Sequence, residues 1–261
     1  LALTCLIEDR DRSETPSINV IGIGYDDPRA KADIKAMEEL LSGKVRLNAA
    51  VGHCSSDDIK ELSGASLNIA IGRGTALCEY MKDRYGIPYE IIDYPYGYMG
   101  ADSLYSLLEK HFDVDYSAER EAFRKETVEY LKNIYMYVQN MYAMPVAVNA
   151  RSEKARGLFT FLSEELGMEV CVLNEKDGQN DLEDYFDRVR ESEAAIMFGS
   201  SFDLELAEEL ELPLMRIDYP VLDRICITDR PYVGARGTAC FMEDLLNEIM
   251  QARKLHGGLY Q

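Results

Sequence analysis

Histidine is scarce. The 261 residues hold only three, His53, His111 and His256, each isolated in its context, and no HExxH occurs. With no Ser/His/Asp arrangement either, hydrolase chemistry has nothing to stand on. Paired cysteine motifs are also missing: Cys5, Cys54, Cys78, Cys171, Cys226 and Cys240 are scattered, with no CxxC. That pattern fits a reducing cytoplasm better than a disulfide scaffold. No apolar run approaches the length of a membrane span, and no signal-peptide layout is present. Positive charge is in deficit, 28 Lys and Arg against 47 Asp and Glu, for a formal net charge of −19. Such a surface repels nucleic acid and anionic membrane, so neither is expected as a partner. Low-complexity segments and flexible linkers are absent too. What remains is a chain whose 47% apolar content can fill real cores.

One stretch occurs twice. Leu67 to Pro95 reads L-N-I-A-I-G-R-G-T-A-L-C-E-Y-M-K-D-R-Y-G-I-P-Y-E-I-I-D-Y-P, and Ala194 to Pro220 reads A-A-I-M-F-G-S-S-F-D-L-E-L-A-E-E-L-E-L-P-L-M-R-I-D-Y-P. Gly72 falls on Gly199, Pro88 on Pro213, and the closing Asp93-Tyr94-Pro95 on Asp218-Tyr219-Pro220. Each copy reads as an apolar strand, a turn at Gly, an acidic amphipathic helix, a Pro-marked break and a second strand. Repetition at this spacing implies a duplicated βαβ unit and two similar domains.

Upstream of the first copy, Ser17 to Gly22 is a buried strand and Asp26-Asp27-Pro28 a helix start, with Asp as cap. The helix carries Ala30, Ile34, Met37 and Leu41 on one face and stops at Gly43; Val45 to Val51 is the next strand. Ser55-Ser56 open a short helix. Asp102 to His111 is another, and Ser117 caps a long one to about Tyr142, whose stripe Tyr130, Ile134, Tyr137, Val138 and Met141 is expected to pack as core or between domains. The second unit has a strand at Pro145 to Asn149, a helix from Ser152 to Leu166, a strand at Glu169 to Leu173, a turn at Lys176-Asp177-Gly178 and a helix from Asp181 to Arg190. Tyr219 to Gly237 has no apparent counterpart in the first unit, and a last helix begins near Thr238. The fold class is therefore α/β: two similar doubly wound parallel-sheet domains joined by a long helix, with a cleft between them. The expected divisions are 1–16 as the remnant of an upstream domain, 17–115 as the first α/β domain, 116–143 as the connecting helix and 144–261 as the second domain with its C-terminal helix. Leu1 is not a start methionine, and the chain is expected to be part of something longer.

Ligands of parallel sheets collect beyond the carboxyl ends of the strands. The loops there are Gly22 to Tyr25, Gly72-Arg73-Gly74-Thr75, Asn149 to Ser152, Gly199-Ser200-Ser201 and Asp218 onward. Gly22 and Gly24 lack the third Gly of a dinucleotide fingerprint and read as a tight turn. Gly72, Arg73, Gly199 and Ser200 are candidate cofactor-binding residues. Arg224, Arg230 and Arg236 join them, being concentrated in one loop of an acidic chain. Their rigid donor forks suit a carboxylate-rich ligand or subunit, or else pairing with Asp218, Asp223 and Asp229, and the sequence leaves both readings open. His53-Cys54 reads as structural, because adjacent residues rarely chelate one ion. Cys78 and Cys171 read as core.

Three stretches resemble the component 1 proteins of nitrogenase and their relatives, which include cofactor-assembly scaffolds and reductases of chlorophyll and nickel-tetrapyrrole biosynthesis. S-L-N-I-A-I-G…M-K-D-R-Y-G-I-P-Y at 66–89 is similar to the family's strand–helix–YGIP segment. P-L-M-R-I-D-Y-P-V-L-D-R-I…R-P-Y-V-G-A-R-G at 213–237 resembles its P-x-x-D-R…G-Y-x-G segment, in the beta-type subunit above all. Leu3 to Glu8 is similar to the stretch whose Cys is an iron–sulfur ligand, here Cys5, although Asp9-Arg10-Asp11-Arg12 replaces the I-G-D-D that should follow. Gly72 stands where the nitrogenase alpha subunit has its cofactor-ligating Cys, and about Asp218 where it has the ligating His. The resemblance thus implies no iron–molybdenum cofactor on this chain. An iron–sulfur cluster is implied only with ligands from sequence outside it or from another subunit, since one thiolate cannot hold a cluster. It further implies a homologous component 1 subunit and an iron–sulfur ATPase reductase as partners, and a role supporting electron transfer to a metallocofactor or reducible substrate. The alternatives are a non-catalytic carrier for a metallocofactor or tetrapyrrole, and a periplasmic-type two-domain binding module.

Overall fold

A computed structural model describes residues 3–176 and 182–255. Its first half orders four parallel strands as β2-β1-β3-β4: β1 (Ser17–Ile21), β2 (Arg46–Ala50), β3 (Leu67–Ile71) and β4 (Tyr89–Ile92). The second repeats the order as β6-β5-β7-β8: β5 (Pro145–Ala150), β6 (Glu169–Glu175), β7 (Ile196–Gly199) and β8 (Leu214–Arg216). Every residue of β1 and β3 is buried, as expected where helices cover both faces. The crossovers in the first half are α1 (Ala30–Leu40), α2 (Ser56–Lys60) and α3 (Thr75–Tyr85), followed by α4 (Gly97–His111). Then come α5 (Ser117–Leu131) and α6 (Tyr135–Gln139), and in the second half α7 (Ser152–Thr160), α8 (Leu182–Arg190), α9 (Leu204–Glu209) and α10 (Gly234–Leu255). Ser55 opens α2 through a reciprocal bond with Asp58, and α7 runs on through a wider turn, Phe161–Glu165. The turn expected from Lys176 and the helix start at Asp181 lie largely outside the described residues.

The connector is helical but not one helix: a 3₁₀ turn at Lys132–Ile134 separates α5 from α6. Three residues per turn instead of 3.6 re-phase the chain by roughly 60°. Ile134 and Val138 pack against the core and Met141 is buried in it, but Tyr130 and Tyr137 remain 43% and 48% exposed, so the expected apolar stripe loses its tyrosines to solvent. Ser117 does not cap α5; the cap position is Tyr116, and Asp115 just before it accepts from the Ser117 N–H at 2.9 Å. Cys171, expected in the core, is exposed on the edge strand β6.

The duplication extends further than the repeated stretch. Helices α4 and α10 both open on Gly-x-x-Gly, at Gly97–Gly100 and Gly234–Gly237. The first Gly of each has a left-handed φ, +64° and +80°. A Cβ on the fourth would lie 2.5 Å from the Pro95 backbone in one and 2.6 Å from the Tyr232 backbone in the other. The residues just before them, Tyr96 and Val233, pair in an antiparallel bridge. So α10 is the counterpart of α4. The Arg-rich insertion between Pro220 and Tyr232 has no equivalent before α4, whereas Gly234 to Gly237, expected within the unmatched stretch Tyr219 to Gly237, does have one.

One continuous core joins the halves. It includes Ile18, Val20, Ile69 and Ile71 from the first sheet and Val146, Val148, Ile196 and Phe198 from the second. At its centre Phe241 of α10 meets the rings of Tyr96, Phe161, Phe198 and Tyr232 at centroid distances of 5.1 to 6.1 Å. Helix α10 packs along α5, α4 and α1 of the first half.

Candidate functional site

In the order 2-1-3-4 the chain reverses direction of winding between β1 and β3, and in the second sheet between β5 and β7. Ligands of open parallel sheets bind at such switch points. Gly22 and the Gly72-Arg73-Gly74 loop lie at the first; Arg151 and the Gly199-Ser200 loop lie at the second. Gly22 has φ +111°, and a Cβ there would sit 2.3 Å from the Ile71 carbonyl oxygen, so glycine is required by close backbone approach.

The two switch points face one another, and side chains of the protein fill the space between them. Lys154 of α7 is buried and donates to Asp27 of the first half and, at 2.7 Å, to the Ile217 carbonyl. Its ammonium also stands 5.1 Å from the centre of the Tyr94 ring. Arg151 donates from its backbone N–H and Nε to Asp218 at 2.9 and 2.7 Å, and its Nη1 lies 3.6 Å from Asp26. Burial opposes ionisation of Asp218, but Lys154 and Arg151 outweigh it and hold the carboxyl below its usual range. Glu153 is buried against Gly72: a Cβ at 72 would lie 2.5 Å from its carboxylate oxygen. A cysteine ligand at 72 has no room while Glu153 stands there. Burial raises the Glu153 pKa. Arg73 is exposed at the rim. Asp27, expected as a cap, does accept from the Arg29 N–H at 3.0 Å, yet its other oxygen belongs to Lys154.

Ser200 is buried and engaged locally. It donates to Asp203 at 2.8 Å and accepts from the Phe202 N–H at 3.3 Å, while Lys176 reaches its oxygen at 3.4 Å. A chain of polar side chains crosses each half: Asn48 to Asn19 to Asn68 links β2, β1 and β3, and Asn174 to Asn149 to Asp203 links β6 and β5 to the turn after β7. His53 binds the Gly24 carbonyl at 3.2 Å, a structural role.

A second junction lies above. Asp33 of α1 is fully buried; it accepts from the Tyr94 hydroxyl at 2.5 Å and from the N–H groups of Tyr232 and Val233 at 2.5 and 3.2 Å. The carboxylate thereby ties the start of α10 to the first half. Burial, then the neighbouring Asp27, push its pKa up to about 6, against the hydrogen bonds from Tyr94 and Tyr232 and the charge of Lys154. Unfolded, the group titrates near 4, so between these values the native state holds a proton that the unfolded state has released. Stability therefore falls as pH rises from about 4 to 6, by about 3 kcal/mol from this group. The isosteric Asp33→Asn keeps all three bonds if Tyr94 accepts instead of donating. Urea unfolding at several pH values is expected to show that decline in the parent and its absence in Asp33→Asn.

Among the described residues, the Arg-rich insertion touches the second switch point through Leu222 and Asp223, which bond the Ser201 hydroxyl; its three arginines are engaged elsewhere. Arg224 pairs with Glu248 at 2.7 Å, Arg230 with Glu243 and Asp244 at 2.8 and 2.7 Å, and Arg236 with the Asp229 carbonyl. Carboxylates of α10 thus take the partner role for two of the three, while Asp218 and Asp223 are held by Arg151 and Arg216. The insertion exposes Leu222, Ile225 and Ile227, the last two at 86% and 87%.

The whole-chain pattern of two equally wound sheets matches a known family. The nitrogenase component 1 type oxidoreductase description fits residues 2–250. The chain belongs to that family. Among component 1 relatives, it is 24% identical to the nitrogenase molybdenum-iron protein beta chain of Methanococcus maripaludis over 193 residues, covering 65% of this chain and 41% of that one. It is 22% identical to a subunit of the light-independent protochlorophyllide reductase of Pyropia yezoensis over 261 residues, covering 87% and 50% respectively. The chain therefore spans about half the length of these relatives. The structure solved as nitrogenase Cp1 at pH 6.5 superimposes with a TM-score of 0.76 at 16% identity, covering 95% of this chain and 63% of that one, a likeness of fold.

Among the described residues of this component 1 chain nothing gathers into a cluster site. Cys5 is exposed in a short 3₁₀ turn, Thr4–Leu6, and no group of three or more His, Cys, Asp or Glu able to hold a metal occurs among the described residues. No described helix is long and apolar enough to cross a membrane. Asp33, Glu153 and Lys154 carry no signal in the sequence, and Asp27 reads there only as a helix cap. Lys154 and Asp27 are 127 positions apart, and nothing local marks either as one half of a buried pair.

Proposed function

We propose that the chain is a beta-type subunit, or part of one, in a nitrogenase-like oxidoreductase complex. It supports electron transfer from an ATP-dependent iron–sulfur reductase to a metallocofactor or reducible substrate held elsewhere in the complex. The supporting observation is the family match over nearly the whole chain, joined to two switch points whose loops converge. In this reading residues 17–115 and 144–261 act as two domains, and the buried ion pairs fix the angle between them. Cys5 would contribute one ligand to a cluster completed by thiolates from other sequence or another subunit. The exposed Leu222, Ile225 and Ile227 suit contact with a homologous component 1 subunit, the kind of partner implied by relatives named as a beta chain and as a reductase subunit. The setting is cytoplasmic.

The carrier reading has one observation in its favour: Glu153 and Arg151 occupy the crevice where a substrate would be reduced. Metal analysis of the complete protein, purified without oxygen together with its partner subunit, decides on the redox reading. Bound iron and visible cluster absorbance are expected; a colourless, iron-free complex would remove it. Bound cofactor without reductase-dependent turnover would favour the carrier.

A further inference from the structure

A cavity of about 290 Å³ lies between the Arg-rich insertion, β8 and α10, away from the switch points. Its wall includes four guanidinium groups, Arg29, Arg216, Arg224 and Arg230, against two carboxylates, Asp244 and Glu248. With Asp223 on Arg216 and Glu243 on Arg230 the four cations meet four carboxylates, a local balance of charge within a chain of net charge −19. Two of the cations are largely withdrawn from solvent, with side-chain exposures of 16% for Arg29 and 9% for Arg216. Arg29 is further fixed by the Tyr232 ring, 4.0 Å from its guanidinium carbon, and by the Arg230 carbonyl at 3.1 Å.

The donors of this cluster are only partly used. Arg224 and Arg230 reach their carboxylates through Nη2 alone, which leaves Nε and Nη1 of each without a partner among the described residues. The Nε of Arg216 is buried and makes no hydrogen bond there either. A guanidinium edge of Nε and Nη is the fork that binds two oxygens of one phosphate or carboxylate at once. The lining of the cavity also includes the apolar side chains of Met215, Val221 and Ile225. Its volume lies at the low end of small-molecule sites, which limits the ligand to a compact one.

We propose that this cavity is a binding site for a small oxyanion, gripped by the free edges of Arg224 and Arg230 over the largely withdrawn Arg29 and Arg216. The shared chemistry is two or three oxygens carrying negative charge, from free phosphate or from a short dicarboxylate. Binding would add to the ion pairs that already tie the insertion to α10. The site is independent of the redox reading, since it uses neither Cys5 nor the switch-point loops.

The test is calorimetric titration of the chain with inorganic phosphate and, separately, with succinate, both at ionic strength held constant with chloride. Saturable one-to-one binding of either probe is expected, and the probe that binds more tightly identifies the source. The double variant Arg224→Gln/Arg230→Gln is expected to weaken binding about tenfold or more, because it removes both charge-assisted forks. Arg188→Gln, an exposed arginine on α8, is expected to leave it unchanged. Arg224 and Arg188 are exposed and Arg230 is half-buried, and circular dichroism checks that each variant is folded. The proposal fails if neither probe binds above the chloride background, or if the double variant binds as the parent does. It also fails if the variant's only change is in self-association, which would make the arginines a protein-docking feature.

Discussion

Lys154→Met is expected to destabilise the chain by about 4 kcal/mol at pH 7, because it leaves Asp27 ionised, buried and unpaired between the two halves. Methionine preserves most of the volume, so little of the loss comes from a cavity. The loss comes from the uncompensated charge rather than from packing. Asp27→Asn in the Lys154→Met background should recover most of the stability at pH 7, for the same reason. Denaturant unfolding of the parent, both single variants and the double variant gives the coupling directly. Additive single losses would mean that the pair does not bridge the halves as described.

Phe241→Ala should cost about 4 kcal/mol, within the range for emptying a fully buried aromatic site. The informative part is where the loss is felt. Phe241 belongs to α10 but packs on Tyr96 of the first half as well as on Phe161 and Phe198 of the second. Amide hydrogen exchange is therefore expected to speed up in α4 and α5 as well as in the second sheet. Loss of protection confined to the second half would contradict a shared core.

The layout of the sheets was legible because buried parallel strands are short, apolar and separated by amphipathic helices, and because Gly and Pro mark the same joints in both copies. The starts of α4 and α10 were not legible. Gly97 and Gly100, like Gly234 and Gly237, look like helix breakers in a sequence. In the fold they admit a left-handed turn and a close approach to Pro95 and Tyr232. The Arg-rich loop stood out by composition, but its partners on α10 did not, since Glu243, Asp244 and Glu248 read as the solvated face of a helix. The switch-point charges were the least visible. Their meaning depends on bringing the β1 loop against the start of α7, a tertiary contact that local pattern does not encode.

Whether this chain serves a complex that accepts electrons is tested most directly by one measurement. It is the visible spectrum of the complete, anaerobically purified complex, followed after addition of its cognate iron–sulfur reductase with and without ATP. Bleaching of cluster absorbance that requires both reductase and ATP is the predicted result. A spectrum that stays unchanged in the presence of both, in a complex shown to contain iron, would contradict it.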